Sequence, residues 1–313
     1  MVIVEIGLLI IGIAALAYGA RLAISGAADI AEKTGIDRYG VGATIVATIT
    51  SLPELAVGIV SVINGQPEIA IGTAVGSVVG LFLLSLGVLA LMAKIRFGKE
   101  RKREVLWATI IVTWATVLFV VMREVSAVVG ILLIGTYVWY VHSVRAGRLR
   151  RIAKKKRGVS VKRAVLILIG GIALVILGAE AVVHGVSGIA SALGLPEFFI
   201  AFFLVAIGTN LPELSVEIAA VRMKEMGIAL GDILGSAVAD LTLIMGTAAI
   251  VGAAVSHPLI FNGSASVTAA VMLGTALVGL KISRDEEIKK WEAVGLILLY
   301  MLVVWAELLA SSL

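Results

Sequence analysis

Two glutamates stand where an apolar chain can least accommodate them. Glu54 lies in Ala47-Thr48-Ile49-Thr50-Ser51-Leu52-Pro53-Glu54-Leu55, and Glu213 in Ala206-Ile207-Gly208-Thr209-Asn210-Leu211-Pro212-Glu213-Leu214, each in the middle of a long hydrophobic stretch. An ionised carboxylate at membrane depth costs at least about 2.5 kcal/mol unless it pairs, takes up a proton or binds a cation. Neither stretch contains a lysine or arginine to pair with it. The proline before each glutamate lacks an amide hydrogen and crowds the preceding turn. That frees carbonyl oxygens near Ile49 and Thr50 in one stretch and near Gly208 and Thr209 in the other. Carbonyls beside a carboxylate are ligands for hard cations. Calcium takes about six to eight oxygens in an adaptable shell, whereas magnesium prefers to retain water, so two glutamates with carbonyls and water suit calcium. Sodium suits smaller subsets of the same oxygens.

A second segment accompanies each glutamate: Gly72-Thr73-Ala74-Val75-Gly76-Ser77 and Gly231-Asp232-Ile233-Leu234-Gly235-Ser236. Glycines four apart let helices approach closely. Ser77 and Ser236 add hydroxyls that either bond the preceding turn or act as sodium ligands. One turn beyond Ser236 stands Asp240, a third carboxylate in an apolar run, where the other copy has Leu81. Glu217 lies one turn after Glu213, placed to line an access path or to sit in solvent at a helix end, and Asp232 is placed similarly. Arg21 and Glu180 could pair across the bundle, and His184 could sense protons or be structural.

These segments are two copies of one unit. A constant shift of 159 residues carries Gly19, Gly26, Gly35, Thr50, Pro53 and Glu54 onto Gly178, Gly185, Gly194, Thr209, Pro212 and Glu213, and Gly72, Gly76, Ser77 and Gly87 onto Gly231, Gly235, Ser236 and Gly246. The elements holding them are membrane helices. Of 313 residues, 60% are hydrophobic and 15% charged, against about 25% charged in soluble domains. Runs long enough to span, about 20 residues, recur throughout, and we place them at 3–31, 39–63, 68–93, 104–122, 125–144, 164–191, 197–221, 226–252, 265–281 and 290–310. The first is read as a retained helix, since Glu5 stands where a secretory signal carries basic residues.

The connections after the first, third, fifth, seventh and ninth spans hold 24 of the 26 Lys and Arg, which by the positive-inside rule puts them in the cytoplasm and both termini outside. The net charge of +5 therefore reflects topology and not nucleic-acid binding, and the basic run between Arg145 and Arg163 reads as a solvated topogenic loop. Five spans per copy is an odd number, so the second copy enters the membrane inverted. The expected fold is an all-α integral membrane bundle of ten helices: a first repeat over 1–144, a connection over 145–163 and a second repeat over 164–313. Inverted repeats are the design of secondary transporters, with the ion site at the midplane where the repeats meet. With no cysteine and no zinc-like histidine spacing, ligands must be oxygens, and no resident cofactor is expected. Ala229-Leu230-Gly231-Asp232 approaches an intramembrane aspartyl-protease motif, but its first glycine is replaced and no second aspartate motif precedes it. A cation channel would use similar ligands.

The motifs TSLPEL and TNLPEL, followed by GTAVGS and GDILGSAVAD, resemble the two alpha repeats of the sodium/calcium exchanger branch of the calcium/cation antiporter superfamily, over nearly the whole chain. The resemblance implies a calcium/cation antiporter in the lipid bilayer. Glu54 and Glu213 would be the central calcium ligands, Thr50 and Thr209 would give backbone carbonyls, and Asp240 would sit beside the centre. Ala47, Ser51, Ser77, Ala206 and Ser236 would contribute to flanking sodium sites. Two positions depart from the pattern: Leu81 replaces an asparagine and Asn210 a serine. The first removes an oxygen from the middle site, and the second is similar to the proton/calcium branch, which leaves proton exchange as the alternative to sodium.

Overall fold

The computed structural model describes residues 2–34, 51–96, 99–145, 161–222, 226–261, 265–284 and 287–311. Within them, α1 (Val2–Thr34) and α6 (Val161–Leu193) lie against each other along most of their length. Glycine makes this possible. A Cβ on Gly12 would come within 2.8 Å of the Gly178 carbonyl oxygen, one on Gly19 within 2.8 Å of the Gly171 oxygen, and one on Gly26 within 2.7 Å of the Ala164 oxygen. The numbers rise on one helix as they fall on the other, so the pair is antiparallel. In lipid, where apolar burial gives no net drive for association, such backbone approach is a main source of packing energy. The 159-residue shift exchanges the contacts: Gly12 against Gly178 becomes Gly171 against Gly19.

The other helices are α2 (Leu52–Ile63), α3 (Pro67–Met92), α4 (Lys99–Met122), α5 (Ala127–Arg145), α7 (Glu197–Arg222), α8 (Met226–Ala254), α9 (Ala265–Arg284) and α10 (Lys290–Ser311). Among the described residues, seven helices are long and apolar enough to cross a membrane: α1, α3, α4, α6, α7, α8 and α10. Leu52–Ile63, Ala127–Ser143 and Ala270–Ile282 are shorter apolar runs in α2, α5 and α9. The part of the expected 39–63 span before Ser51 lies outside the described residues.

Enclosure is uneven, and the pattern locates the core. In α3, 78% of the apolar window is buried, and in α8 67%, against 22% in α1 and 28% in α6. The outer helices present Ile3, Ile10, Ile11, Leu166, Ile169 and Leu177 to the surroundings, as expected of surfaces whose solvent is hydrocarbon. α3 and α8 form the interior with α2 and α7 packed on them.

Among the described residues, three turns depart from α-helical winding. α3 opens into a π-helical stretch over Gly80–Ser85 and α8 over Asp240–Ile244, positions matched by the repeat shift, while α7 does so over Ala201–Val205. Wide turns of this kind occur mostly as single insertions in α-helices and cluster at functional sites. Among the described residues, two short strand pairs tie the connections: β1 (Ile95–Arg96) with β4 (Glu287–Ile288), and β2 (Glu124–Val125) with β3 (Leu259–Ile260), both antiparallel. The first joins the connection after α3 to that before α10, the second the connection after α4 to that after α8.

A buried carboxylate site between the repeats

The site is assembled where α2, α3, α7 and α8 cross. α2 begins at Leu52, so Pro53 falls in its first turn, where the missing amide hydrogen costs nothing. Glu54 follows in the same turn, at the positive end of the helix dipole. The residue before α2, Ser51, makes no capping bond to its own helix, and its hydroxyl donates across the interface to Glu213 Oε1 at 3.5 Å. In the other repeat Pro212 stands inside a continuous helix from Ala206 to Arg222. The helix thus runs through the proline instead of breaking there. The proline still withholds the hydrogen that would satisfy the Gly208 carbonyl. Packing against α3 supports this course: a Cβ on Gly76 would meet the Ala206 Cβ at 2.8 Å.

Glu213 is the hub. Ser236 of α8 donates to its Oε1 at 2.9 Å, the same oxygen that Ser51, the residue before α2, reaches. Its Oε2 is buried without a hydrogen-bond partner, as are both oxygens of Glu54 and both of Asp240. Thr209 lies beside Glu54 but turns its hydroxyl to the Val205 carbonyl, 3.1 Å away. Asn210 donates to the Ser77 carbonyl at 3.2 Å, which leaves its Oδ1 and the Ser77 hydroxyl buried and unpartnered. Asn210 fits because Gly80 has no side chain: a Cβ there would lie 2.9 Å from Nδ2. A small cleft, roomy enough for about one water, adjoins this corner, lined by Gly80, Ser85, Asn210, Leu211, Leu214 and Tyr300.

Nine of the eleven expected site residues are described: Ser51, Glu54, Ser77, Ala206, Thr209, Asn210, Glu213, Ser236 and Asp240 are all buried. Ala47 and Thr50 lie outside the described residues. No lysine or arginine is buried among the described residues. Direct charge interactions link Glu213 to Glu54, Asp240, Asp232 and Glu217. Unbalanced buried carboxylates of this kind are stable only with cations or protons. Among the described residues no three His, Asp or Glu side chains are arranged to hold a metal ion, so a bound cation must draw on hydroxyls, carbonyls and water as well.

The chain has relatives. The profile of the family described as sodium/calcium exchanger protein matches residues 4–144 and 163–309. The chain belongs to this family. It is 30% identical, over 97% of its length and 98% of the other's, to an uncharacterized membrane protein of Methanocaldococcus jannaschii. It is 28% identical, over 96% of its length and 97% of the other's, to the sodium/calcium exchanger MaX1 of Methanosarcina acetivorans. Among solved structures, the sodium-calcium exchanger NCX_Mj soaked with Na+ and Sr2+ superposes with a TM-score of 0.68 at 29% identity, covering 97% of this chain and 99% of that one. The chain is therefore a multi-pass membrane protein with an exchanger fold.

Sequence reasoning underrated three neighbours of this cluster. Glu217, for which solvation at a helix end was one expectation, is fully buried, and Asp232 is 7% exposed. Thr73, the repeat equivalent of Asp232, has a buried hydroxyl without a partner, and the shift of 159 residues was the signal that could have found it. Glu180, which could have paired with Arg21, accepts from Asn64 at 3.2 Å and meets His184 at 3.1 Å.

Proposed function

We propose that this exchanger moves calcium against sodium by alternating access, with Glu54 and Glu213 as the shared carboxylates that both cations occupy in turn. The observation that carries the reading is the pair itself. Equivalent glutamates from the two copies meet in a buried site, Glu213 held by Ser51 and Ser236 and Glu54 left with no hydrogen-bond partner among the described residues. Two negative charges match one calcium ion or two sodium ions, so occupancy by one excludes the other. Ser51, Ser77, Ser236, Ala206, Thr209 and Asn210 supply hydroxyl, amide and carbonyl oxygen around the pair, and Asp240 adds a carboxylate beside it. In the same reading Ala47 and Thr50 contribute carbonyls.

The finer architecture follows the same proposal. The chain forms ten spanning helices in two inverted repeats, 1–144 and 164–313, joined by a basic cytoplasmic connection over 145–163, with both termini outside. Three features support it: the exchange of glycine contacts between α1 and α6, the matched π-helical turns of α3 and α8, and the exchange of the two strand pairs. The test is transport. Reconstituted protein should take up calcium into sodium-loaded vesicles, and uptake should vanish when choline replaces internal sodium at constant pH. Uptake that survives choline and collapses with the pH gradient assigns the counter-transport to protons, and flux that needs no counter-cation assigns the chain to channels.

A further inference from the structure

The contact between Ser236 and Glu213, 2.9 Å, sets the register of α7 against α8. These consecutive helices pack on each other, α7 running toward Arg222 and α8 starting at Met226. Glu217 follows Glu213 by four residues, and Asp232 precedes Ser236 by four. At about 1.5 Å per residue, both carboxylates lie about 6 Å from the central level, displaced toward the same membrane face. They are near enough for their charges to interact directly. Both Glu217 oxygens and Asp232 Oδ2 are buried without a hydrogen-bond partner, and Glu217 is 0% exposed and Asp232 7%. The Ser85 hydroxyl lies beside Glu217, and Ser85 lines the small cleft next to Asn210.

We infer that Glu217 and Asp232, with Ser85, form a second calcium subsite, one helical turn from the central pair toward the face where α7 ends. Two carboxylates and a hydroxyl are hard oxygen ligands too few to complete a calcium shell, so water supplies the remainder and binding is weak. Weakness suits a staging position, where an ion must be held and then released to the neighbouring site. The subsite belongs to one face only, because the equivalents of Glu217 and Asp232 in the first repeat are Gly58 and Thr73. It uses the antiport reading only for the identity of the cation.

Equilibrium binding of radioactive calcium to the purified full-length protein separates the two sites. The E54Q/E213Q variant should keep weak calcium binding, and adding E217Q and D232N should lower that residual affinity by roughly tenfold or more, the scale on which supporting ligands act in metal sites. In the otherwise unaltered chain, E217Q should raise the calcium KM by about tenfold on the face where α7 ends and by less than about twofold on the opposite face. Absence of residual binding in E54Q/E213Q, its persistence after E217Q and D232N, or an equal KM change on both faces overturns the subsite. A central site that fails shows itself differently: E54Q/E213Q then binds calcium as tightly as the unaltered chain.

Discussion

Glu54 sits in the first turn of a short helix, whereas Glu213, its equivalent 159 residues later, sits inside a long one and carries the hydrogen bonds of both repeats. Around them the two copies share backbone features: glycines at matched contacts, a proline before each glutamate, and a π-helical turn beyond each serine. Charge is not shared. The second copy adds Glu217, Asp232 and Asp240, where the first has Gly58, Thr73 and Leu81. The duplicated part is therefore the shape that lets two helix pairs cross at close range. The electrostatics of the cluster come mainly from one copy, so in the proposed exchange a cation meets a different field from each side.

The most drastic way to break this comparison is to test whether the copies are inverted at all. Because the chain has no cysteine, single cysteines at Asn64 and Gly158 can be read cleanly with impermeant thiol reagents. They should label from opposite sides of the membrane, Asn64 from outside. Labelling of both from one side removes the inversion and the alternating-access argument with it.

Next in size are E54Q and E213Q. Each keeps the shape and removes a charge, so the protein should stay folded and monodisperse while calcium binding weakens by about 2–5 kcal/mol, enough to abolish exchange. Near-normal exchange by either variant would show that only one glutamate matters and that the pair is not the site.

Packing gives a smaller and purely structural contrast. An added Cβ at Gly19 or Gly178 would come within 2.8 Å of backbone atoms on the opposite helix, whereas Gly170 has open space. G19A and G178A should each lose about 1–3 kcal/mol of stability, and G170A should gain up to about 1 kcal/mol from helix propensity. Thermal unfolding in detergent reads all three, and equal losses at Gly19 and Gly178 would sharpen the symmetry of the shape.

The smallest effects concern the serines on Glu213. S236A removes a 2.9 Å bond to a carboxylate, worth about 1.5 kcal/mol, and should raise the calcium KM by about tenfold. S51A removes a 3.5 Å contact and should raise it by only about twofold, since long hydrogen bonds are weak. The reverse order would mean that Glu213 is held chiefly by the first repeat.

Much of this was legible in the sequence because lipid makes polar residues exceptional. A carboxylate in an apolar run announces itself, and a glycine needed for backbone contact recurs at the repeat interval, so Glu54, Glu213, Asp240 and the α1 and α6 glycines could be picked from spacing alone. Family membership followed from the same motifs. What spacing does not contain is how each helix is rotated and slid against its neighbours. Those two quantities are set by packing over whole helix faces. They decide that Ser51 and Ser236 converge on one oxygen of Glu213, that Thr209 turns its hydroxyl back to Val205, and that Glu217 is enclosed instead of solvated. They also decide that α7 continues through Pro212, because neighbouring helices hold a proline-containing segment in line where the isolated sequence suggests a break.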